Sequence, residues 1–498
     1  MKILLVASEA VPFAKTGGLA DVAGTLPIEL ARLGHQVTLI LPAYRNIRAA
    51  GVPIEPTGVS FDVAIGSKTV AGTYLKSQLA DGLVTVYFVD QPQYYDRPGL
   101  YQENGEDYRD NCERFVFFSR AVLEAVRLLE LDVDVIHAND WQTGLIPAYL
   151  KIEYRGVPGY EGIGTLFTIH NMAYQGMFWH WDMLLTGLDW KYFNWQQMEF
   201  FGNLNLLKTG LIFADRLNTV SPRYAEEIQS APLGCGLEGV LQQRRDVLSG
   251  IVNGVDYSEW DPQTDPSLPA NYGPDTFAKG KSACKAALQV ELGLPAAPQT
   301  PLVAFIGRLT DQKGIDLLAA TVRDWVQTHE AQWVLLGTGD PQYQEQFATL
   351  AERFPQRVAA RLEFSNPLAH RIEAGSDIFV MPSRFEPCGL NQLYSLKYGA
   401  VPVVRATGGL VDTITDWNEA TAADGTATGF AFSEYSALAL AESLQRACQV
   451  YARPESWSRL VQTGMRHNWS WATSAGQYVD LYQQTVAKVR RGMVAGNA

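Results

Sequence analysis

Lys15, Gly17 and Gly18 lie in a short motif, KTGGL, whose residue types suit anion binding. The apolar run 2–7 predicts a strand and the amphipathic run 19–33 predicts a helix, so the motif falls in the turn between them. A helix N-terminus exposes unpaired backbone N–H groups and the positive end of the helix dipole. Glycine lets an anion approach the backbone, and the lysine adds charge. The alternative is a tight turn with a solvated lysine.

Two basic residues and one acidic residue carry similar chemistry in the second half of the chain. Arg308 and Lys313 lie in IGRLTDQKG, on the loop after a predicted strand and at the start of a helix. Together with Lys15 they could neutralise a diphosphate. Glu386, in SRFEPCGLNQL, precedes a predicted helix, where a carboxylate can hold sugar hydroxyls or stabilise positive charge at an anomeric carbon. The alternatives are solvated charges at a helix start and a glutamate stabilised only by the helix dipole.

Polar residues also follow two predicted strands of the first half, in the segments HANDW and HNMAYQG. In open α/β sheets, ligands gather at the carboxyl ends of the strands. We therefore expect four side chains on the same rim as KTGGL, namely His137, Asp140, His170 and Asn171.

The elements that must position these residues alternate between strand and helix, which favours a parallel sheet. In the first half, strands are predicted over 2–7, 36–42, 84–89, 133–138 and 165–170, and helices over 19–33, 108–129 and 142–152. Residues 253–275, rich in Pro, Gly and Asp, predict a domain linker, after which the alternation restarts. TGGL recurs at 407–410, again between a predicted strand and a predicted helix, so each half offers a helix N-terminus.

Three further segments between the candidate site residues give local predictions. A helix is predicted over 201–213, and another over SPRYAEEI with Ser221 as its N-cap and Pro222 at its first position. GCGLEG (234–239) formally matches a dinucleotide-binding fingerprint, but it follows a helix and a proline instead of a strand. We interpret this segment as a small glycine-rich loop. The sequence therefore disfavours an NAD-dependent oxidoreductase.

Composition narrows the class of protein. The 498 residues, 47% hydrophobic and 19% charged, predict two or three domains of a soluble globular protein. A net charge of −13 argues against nucleic acid or an anionic membrane as main partner. Five scattered cysteines form neither a disulfide framework nor a zinc motif, and neither a signal peptide nor a membrane span is recognised, so a reducing cytoplasm is expected.

Several motifs together resemble the bacterial glycogen synthases and plant starch synthases, which elongate α-glucans from ADP-glucose. They occur in the family's order and span nearly the whole chain: SEAVPFAKTGGLADV (8–22), HANDW (137–141), TIHNMAYQG (168–176), GIVNGVD (250–256), GRLTDQKG (307–314), SRFEPCGLNQLY (383–394) and ATGGLVDT (406–413).

This resemblance implies the GT-B fold, an α/β architecture of two Rossmann-like doubly wound parallel-sheet domains facing across a deep cleft. The implied domains are 1–252 on the acceptor side, 253–466 on the donor side, and a C-terminal helix over 467–498 that crosses back to the first domain. Periodicity independently predicts a helix there, because the apolar stripe has helical spacing: Ala475, Tyr478, Leu481 and Tyr482.

The resemblance also implies roles for individual residues. Arg308 and Lys313 would bind the diphosphate of ADP-glucose, His170 would stabilise the forming cationic sugar, and Glu386 would hold the glucose and support that charge. The other donor-binding residues would be Lys15, Gly17, Gly18, Asp140, Asn171, Asn253, Gly408, Gly409 and Phe364. Phe364 stands where many bacterial members have a tyrosine that stacks on adenine. A phenylalanine can still stack on the base, but it lacks the hydroxyl and its hydrogen bond. Tyr95 and Cys388 fit cleft positions of the family, with packing as the alternative.

The implied reaction retains configuration at the anomeric carbon, through a front-face route in which the departing phosphate takes the acceptor proton. No cofactor or metal is expected, because the arginine and lysine would substitute for a cation. The partners would be ADP-glucose and an α-1,4-glucan acceptor, without nucleic acid or membrane, and the oligomeric state stays open. The alternatives are a UDP-glucose-dependent synthase, a catalytically silent glucan-binding protein of the same fold, a glucan phosphorylase and a nucleotide-sugar epimerase.

Overall fold

The computed structural model describes residues 1–496, which form two compact units. The first unit contains residues 1–220, 225–251 and the chain from Trp471 onward, and the second contains residues 221–224 and 252–470. The sequence predicts boundaries after residues 252 and 466. The last two residues of the helix predicted over 467–498 lie outside the described part of the chain.

The strands are numbered in chain order. They are β1 Lys2–Val6, β2 Gln36–Pro42, β3 Glu55–Ile65, β4 Lys68–Leu79, β5 Val84–Asp90, β6 Gln102–Glu103, β7 Glu106–Asp107, β8 Val135–Asn139, β9 Gly164–Ile169, β10 Met177–Trp179, β11 Glu199–Phe200, β12 Asn203–Asn205, β13 Arg216–Thr219, β14 Leu248–Gly250, β15 Leu302–Ile306, β16 Gln332–Leu336, β17 Val358–Arg361, β18 Ile378–Met381, β19 Val401–Arg405 and β20 Phe430–Phe432.

The helices are numbered in the same way. They are α1 Gly18–Arg32, α2 Pro92–Tyr95, α3 Asn111–Leu128, α4 Leu145–Ile152, α5 Met183–Thr186, α6 Leu206–Phe213, α7 Pro222–Glu227, α8 Glu238–Gln243, α9 Phe277–Leu292, α10 Ile315–Thr328, α11 Pro341–Arg353, α12 Asn366–Gly375, α13 Asn391–Tyr398, α14 Gly409–Thr413, α15 Glu419–Ala423, α16 Ala437–Tyr451, α17 Pro454–Arg466 and α18 Trp471–Gly496. None of the helices in residues 1–496 combines the length and apolar character that crossing a membrane requires.

The main sheet of the first unit has the strand order β14-β13-β9-β8-β1-β2-β5-β4-β3. Among its described strands only β4 runs against the others. The chain builds one side of the sheet from β1 through β2 and β5, and then returns to build the other side from β8. Ligands bind open sheets where the strand order reverses in this way. We call the carboxyl ends of β1, β8 and β9 the first switch point.

The sheet of the second unit has the order β17-β16-β15-β18-β19-β20, and each described neighbour pair is parallel. Here the order reverses between β15 and β18. We call the carboxyl ends of these two strands the second switch point. Both units are therefore doubly wound, as the alternation of predicted elements indicates.

Two parts of the first unit differ from the sequence-based expectation. The hairpin β3–β4 extends the sheet, whereas the sequence analysis predicts no strand over residues 55–79. Its residues alternate between exposed and buried, so the segment lacks the continuous apolar run of a parallel strand. The helix predicted over 201–213 is wrong at its start. Phe201 and Gly202 have φ angles of +49° and +80° and turn the chain between β11 and β12. The helix begins only at Leu206.

The C-terminal helix α18 packs within the first unit. The predicted helical stripe is confirmed, since Ala475, Tyr478, Leu481 and Tyr482 are buried. The hydroxyl of Tyr482 is 2.8 Å from Nδ1 of His137 on β8. This contact anchors the helix to the central strands that lead to the first switch point.

Candidate active site

The KTGGL turn lies at the first switch point and already binds an anion of its own chain. Helix α1 begins at Gly18, and Gly17 is its N-cap. The amides of Thr16 and Gly17 both donate to the carboxylate of Glu9, the latter over 3.1 Å. Lys15 forms an ion pair of 2.6 Å with Asp21. The turn is therefore an anion-binding turn, as its composition suggests, but the amide of Gly17 is engaged by Glu9.

Glu9 is a functional candidate that the sequence analysis missed. Its side chain is only 4% exposed, and it accepts hydrogen bonds from the hydroxyls of Thr16 over 2.8 Å and of Tyr101 over 3.0 Å. Burial raises the pKa of Glu9, while the hydrogen bonds from Thr16 and Gly17 act in the opposite direction. The sequence feature that could have identified Glu9 is its position in SEAVPFAKTGGL, the segment that ends in the KTGGL turn.

Asp140 follows β8 in a backbone conformation that non-glycine residues rarely adopt, with φ +56° and ψ −179°. Its carboxylate accepts the backbone N–H of His170 over 2.7 Å, which ties the ends of β8 and β9 together. Burial, together with the nearby negative charge of Glu9, raises the pKa of Asp140 to about 7, although the hydrogen bonds from the backbone N–H groups of His170 and Asn171 act in the opposite direction. A strained backbone and a raised pKa at a switch point are both typical of functional sites.

His170 directly follows β9, and its ring is half-buried. Nε2 lies 2.9 Å from Oδ1 of Asn139, and burial lowers the pKa of His170 to about 3, so the ring is neutral near pH 7. Asn171 is the next residue and is also partly exposed.

The prediction that His137 shares this rim is wrong. Its side chain is 0% exposed, and its ring is hydrogen-bonded to the hydroxyls of Thr168 and Tyr482.

At the second switch point the structure brings Lys313 and Glu386 together. Nζ of Lys313 lies 2.6 Å from Oε2 of Glu386, and the hydroxyl of Ser383 donates to the same oxygen over 3.0 Å. Glu386 is 5% exposed, whereas Arg308, on the loop after β15, is exposed. The sequence predicts these residues near the same strand ends but not the direct ion pair between Lys313 and Glu386.

The TGGL turn of the second unit is held by hydrogen bonds to the backbone of the segment that carries Glu386. Gly408 has φ +47°, and the amide of Gly409 donates to the carbonyl oxygens of Glu386 over 3.1 Å and of Pro387 over 3.2 Å. The Gly409 amide is thus engaged by the segment that carries Glu386. The proposal that it binds the donor phosphate therefore requires that this contact be shared or exchanged.

Asn253 and Cys388 are both buried in the second unit. Asn253 is 4% exposed, and within residues 1–496 its Oδ1 has no hydrogen-bond partner. Burial raises the pKa of the Cys388 thiol to about 12, so this cysteine is not a thiolate near pH 7. A buried oxygen without a partner is uncommon and suits a ligand hydroxyl.

Tyr95 and Phe364 have opposite environments. Tyr95 is 0% exposed, its hydroxyl donates to the carbonyl of Arg114 over 3.0 Å, and its ring packs edge-on against Tyr44 at 5.7 Å. Tyr95 is a packing residue in this structure, and we leave it out of the proposed site. Phe364 is 86% exposed and presents an open aromatic face.

The fold and the residues at the two switch points define the class of protein, which is a glycosyltransferase of the GT-B fold. Residues 2–243 match the starch synthase catalytic domain family, and residues 293–462 match glycosyl transferases group 1. The chain belongs to the family of bacterial glycogen synthases and plant starch synthases.

The relatives match over nearly the full length. A glycogen synthase of Rhodopirellula baltica is 47% identical, covering 99% of both chains, and one of Syntrophotalea carbinolica is 45% identical, covering 98% of this chain and 99% of the relative. The catalytic domain of starch synthase IV from Arabidopsis thaliana, bound to ADP and acarbose, superposes with a TM-score of 0.90 at 33% identity, covering 98% of this chain and 99% of that one. A sucrose-phosphate synthase from Thermosynechococcus elongatus, 19% identical with a TM-score of 0.59 and covering 98% and 99%, shares the fold.

Proposed function

We propose that this enzyme transfers glucose from ADP-glucose to the non-reducing 4-hydroxyl of an α-1,4-glucan, with retention of configuration and release of ADP. The observation that carries the proposal is the second switch point, where Lys313 and Glu386 are paired and Arg308 lies on the adjoining loop. Cations suit a diphosphate, and a buried carboxylate suits a sugar. The names of the full-length relatives support the same reaction.

The diphosphate would be bound by Arg308 and Lys313 of the second unit. We assign Lys15 and the amides of Gly17 and Gly18 to the same group, together with the turn at Gly408 and Gly409. Binding at the first turn must compete with Glu9, which holds the Gly17 amide. The adenine would stack on the exposed ring of Phe364, since an aromatic face supports stacking without a hydroxyl.

The glucose would be held by carboxylate and amide groups. We assign Glu386 to the sugar and to the positive charge that develops at the anomeric carbon, with Asp140, Asn171 and Asn253 bonding hydroxyl groups. The unpartnered Oδ1 of Asn253 supports its part, because a donor hydroxyl would satisfy it. Cys388, two residues after Glu386, would be present as a neutral thiol.

The proposed chemistry is a front-face displacement. The bond between the anomeric carbon and the phosphate oxygen breaks, its electron pair stays on ADP, and the acceptor 4-hydroxyl oxygen bonds the carbon from the same side. The departing phosphate oxygen takes the acceptor proton. Arg308 and Lys313 would stabilise the negative charge that grows on ADP, and His170 would lie near the forming cation. No cofactor and no metal take part in the proposed reaction.

One assay tests the proposal directly. Radiolabelled ADP-glucose and UDP-glucose are supplied separately with glycogen, with and without EDTA, and label in the polymer is counted. We expect incorporation from ADP-glucose, unaffected by EDTA, and much less from UDP-glucose. Equal use of both donors would contradict the preference for adenine, which Phe364 would support by stacking but without the hydrogen bond that a tyrosine hydroxyl adds.

The same assay with Glu386→Ala serves as the catalytic control, since glucan binding should persist while incorporation falls. No incorporation by the unaltered chain from either donor, with retained glycogen binding, would favour a catalytically silent glucan-binding protein.

We also propose that the protein is cytoplasmic. The composition of the sequence and its scattered cysteines, which form no disulfide framework, support this location.

A further inference from the structure

The side chain of Asn139, at the last position of β8, connects three strands at the first switch point. Its amide nitrogen donates to the carbonyl oxygen of Val6 over 3.0 Å and to that of His137 over 3.2 Å. Its Oδ1 lies 2.9 Å from Nε2 of His170. Asn139 is only 1% exposed, so its amide is shielded from bulk solvent.

These contacts determine which way the amide faces. Backbone carbonyls only accept hydrogen bonds, so the NH₂ group must face Val6 and His137. The reversed orientation would place an amide oxygen 3.0–3.2 Å from two carbonyl oxygens, which is repulsive. Oδ1 therefore faces His170, and because an amide oxygen only accepts, Nε2 of His170 must carry the proton.

A neutral imidazole carries one N–H, so this arrangement leaves Nδ1 of His170 with a lone pair. Burial lowers the pKa of His170 to about 3, which keeps the ring neutral at ordinary pH. No hydrogen bond within residues 1–496 uses Nδ1, although the half-buried ring lies at the rim where the polar groups collect. A neutral acceptor of this kind can bond a hydroxyl, but it cannot donate to a phosphate oxygen.

We propose that Asn139 is a positioning residue that fixes His170 as the Nε2–H tautomer, so that Nδ1 accepts a hydrogen bond from one hydroxyl of the donor glucose. The inference rests on the proposed function for the identity of the hydroxyl, but not for the tautomer. His170 then recognises the sugar and takes no part in binding the diphosphate or in donating a proton to it.

The tautomer is measured without any activity assay. The protein is labelled with ¹⁵N-histidine, and the ring signals of its seven histidines are recorded, with His170→Gln identifying the signal of interest. We expect a protonated Nε2 and an unprotonated Nδ1 for His170 between pH 6 and 8. A protonated Nδ1, or a mixture of both forms, would overturn the proposal whether or not the chain uses ADP-glucose.

The hydroxyl contact is measured with four ADP-deoxyglucose donors, which lack the 2-, 3-, 4- or 6-hydroxyl. We expect that one deletion costs about tenfold in kcat/KM in the unaltered chain because its hydrogen bond to Nδ1 is lost. In Asn139→Leu the same deletion should cost no more than about twofold, because the tautomer is no longer fixed. The penalties of the other three deletions should stay unchanged.

Asn218→Leu is the matched control. Asn218 is a 0% exposed asparagine on β13 of the same sheet, and its amide donates to the Tyr478 hydroxyl over 3.1 Å instead of reaching His170. We expect a comparable loss of thermal stability with all four deletion penalties retained. If Asn139→Leu also kept all four penalties, Asn139 would be only a structural residue and the proposal would be wrong. Absence of turnover from ADP-glucose by the unaltered chain would contradict the proposed function and the sugar contact, while the NMR result would still decide the tautomer.

Discussion

The two TGGL turns share four residue types and a place between a strand and a helix. They differ in whether the fold itself requires glycine at these positions. In the second turn a Cβ on Gly408 would lie 2.0 Å from the carbonyl oxygen of Glu386. A Cβ on Gly409 would lie 2.2 Å from that of Cys388, and Gly408 also has φ +47°. The backbone of the second unit itself requires glycine at both positions.

The glycines of the first turn have no such cause within the described chain. A Cβ on Gly17 or Gly18 would meet none of its atoms within 4 Å, and Gly17 has an extended φ of −151° that any residue adopts. Glycine that the fold does not require is expected where another molecule approaches the backbone closely. The comparison separates a turn shaped by its own fold from a turn whose surface is open to a ligand.

The largest expected effect comes from alanine in the second turn. Gly409→Ala should lower the thermal unfolding midpoint by about 6–12 °C, because relieving a contact with a backbone oxygen costs about 3 kcal/mol. Gly17→Ala should leave the midpoint unchanged within about 2 °C and instead raise KM for ADP-glucose. Calorimetry and steady-state kinetics on both variants provide the test. Equal loss of stability in the two variants would remove the distinction between the turns.

The next prediction compares the lysines near the two turns. Lys313→Ala should reduce kcat/KM by about 100- to 1,000-fold, because it removes a phosphate ligand and leaves the buried Glu386 carboxylate without its cation. Lys15→Ala should cost about tenfold or less, since Lys15 is exposed and its pairing with Asp21 is solvated. Initial rates with ADP-glucose measure both effects.

Lys279→Ala, at an exposed position on α9, is the control for loss of a positive charge alone, and it should leave the rate unchanged. Thermal unfolding of Lys313→Ala separates a lost ligand from a lost fold. Normal turnover by a folded Lys313→Ala would exclude Lys313 from diphosphate binding.

The sequence predicted both turns, both sheets and the strand ends that carry Asp140, His170, Arg308 and Glu386, because these depend on short-range apolar patterns and on glycine. It could not predict which partner each charge selects. Glu9 reaches the turn amides through a fold of the loop, and Lys313 meets Glu386 across 73 residues of sequence. The first pairing depends on the conformation of a loop and the second on sheet order, and no local sequence pattern encodes either.

His137 and the hairpin β3–β4 illustrate two other limits. His137 has the same type and a similar context as His170, but its place two residues before the end of β8 buries it under α18. The hairpin alternates between exposed and buried residues, a weak signal beside the apolar runs of the central strands. The strained conformation of Asp140 likewise has no sequence signature.

A pH profile sharpens the contrast between the acidic first switch point and the basic second one. Burial raises the pKa of Asp140 to about 7, and only its ionised form offers both oxygens as negatively charged acceptors for sugar hydroxyls. We expect kcat/KM to rise with pH through about 7, and Asp140→Asn to lower it about tenfold at pH 8 while flattening the rise. His170, with a pKa of about 3, does not titrate in this range, and Glu9 is the other carboxylate that acts on Asp140.

The raised pKa of the Asp140 carboxyl also determines how its contribution to the free energy of unfolding changes with pH. Its pKa is about 7 in the folded chain and about 3.9 when unfolded, so between these values the folded chain binds more protons. The contribution of Asp140 to the free energy of unfolding should therefore decrease as pH rises from about 4 to about 7. In Asp140→Asn this slope should be reduced. A rise in stability assigned to Asp140 over this window would contradict the buried-carboxylate assignment.

The smallest expected effect concerns Glu9, which occupies the amides that the proposed diphosphate would approach. Glu9→Gln keeps one acceptor oxygen for the backbone amides of Thr16 and Gly17 but removes a negative charge, so KM for ADP-glucose should fall about two- to threefold at pH 8. Glu9→Ala should raise KM instead, because the turn loses the contacts that hold its amides in place. Tyr101→Phe removes one hydrogen bond from the carboxylate without altering its charge and should change KM less than either. If Glu9→Gln raised KM as Glu9→Ala does, or left it unchanged, the charge of Glu9 would have no repulsive influence on the donor, and the first turn would lose its role as an open anion site.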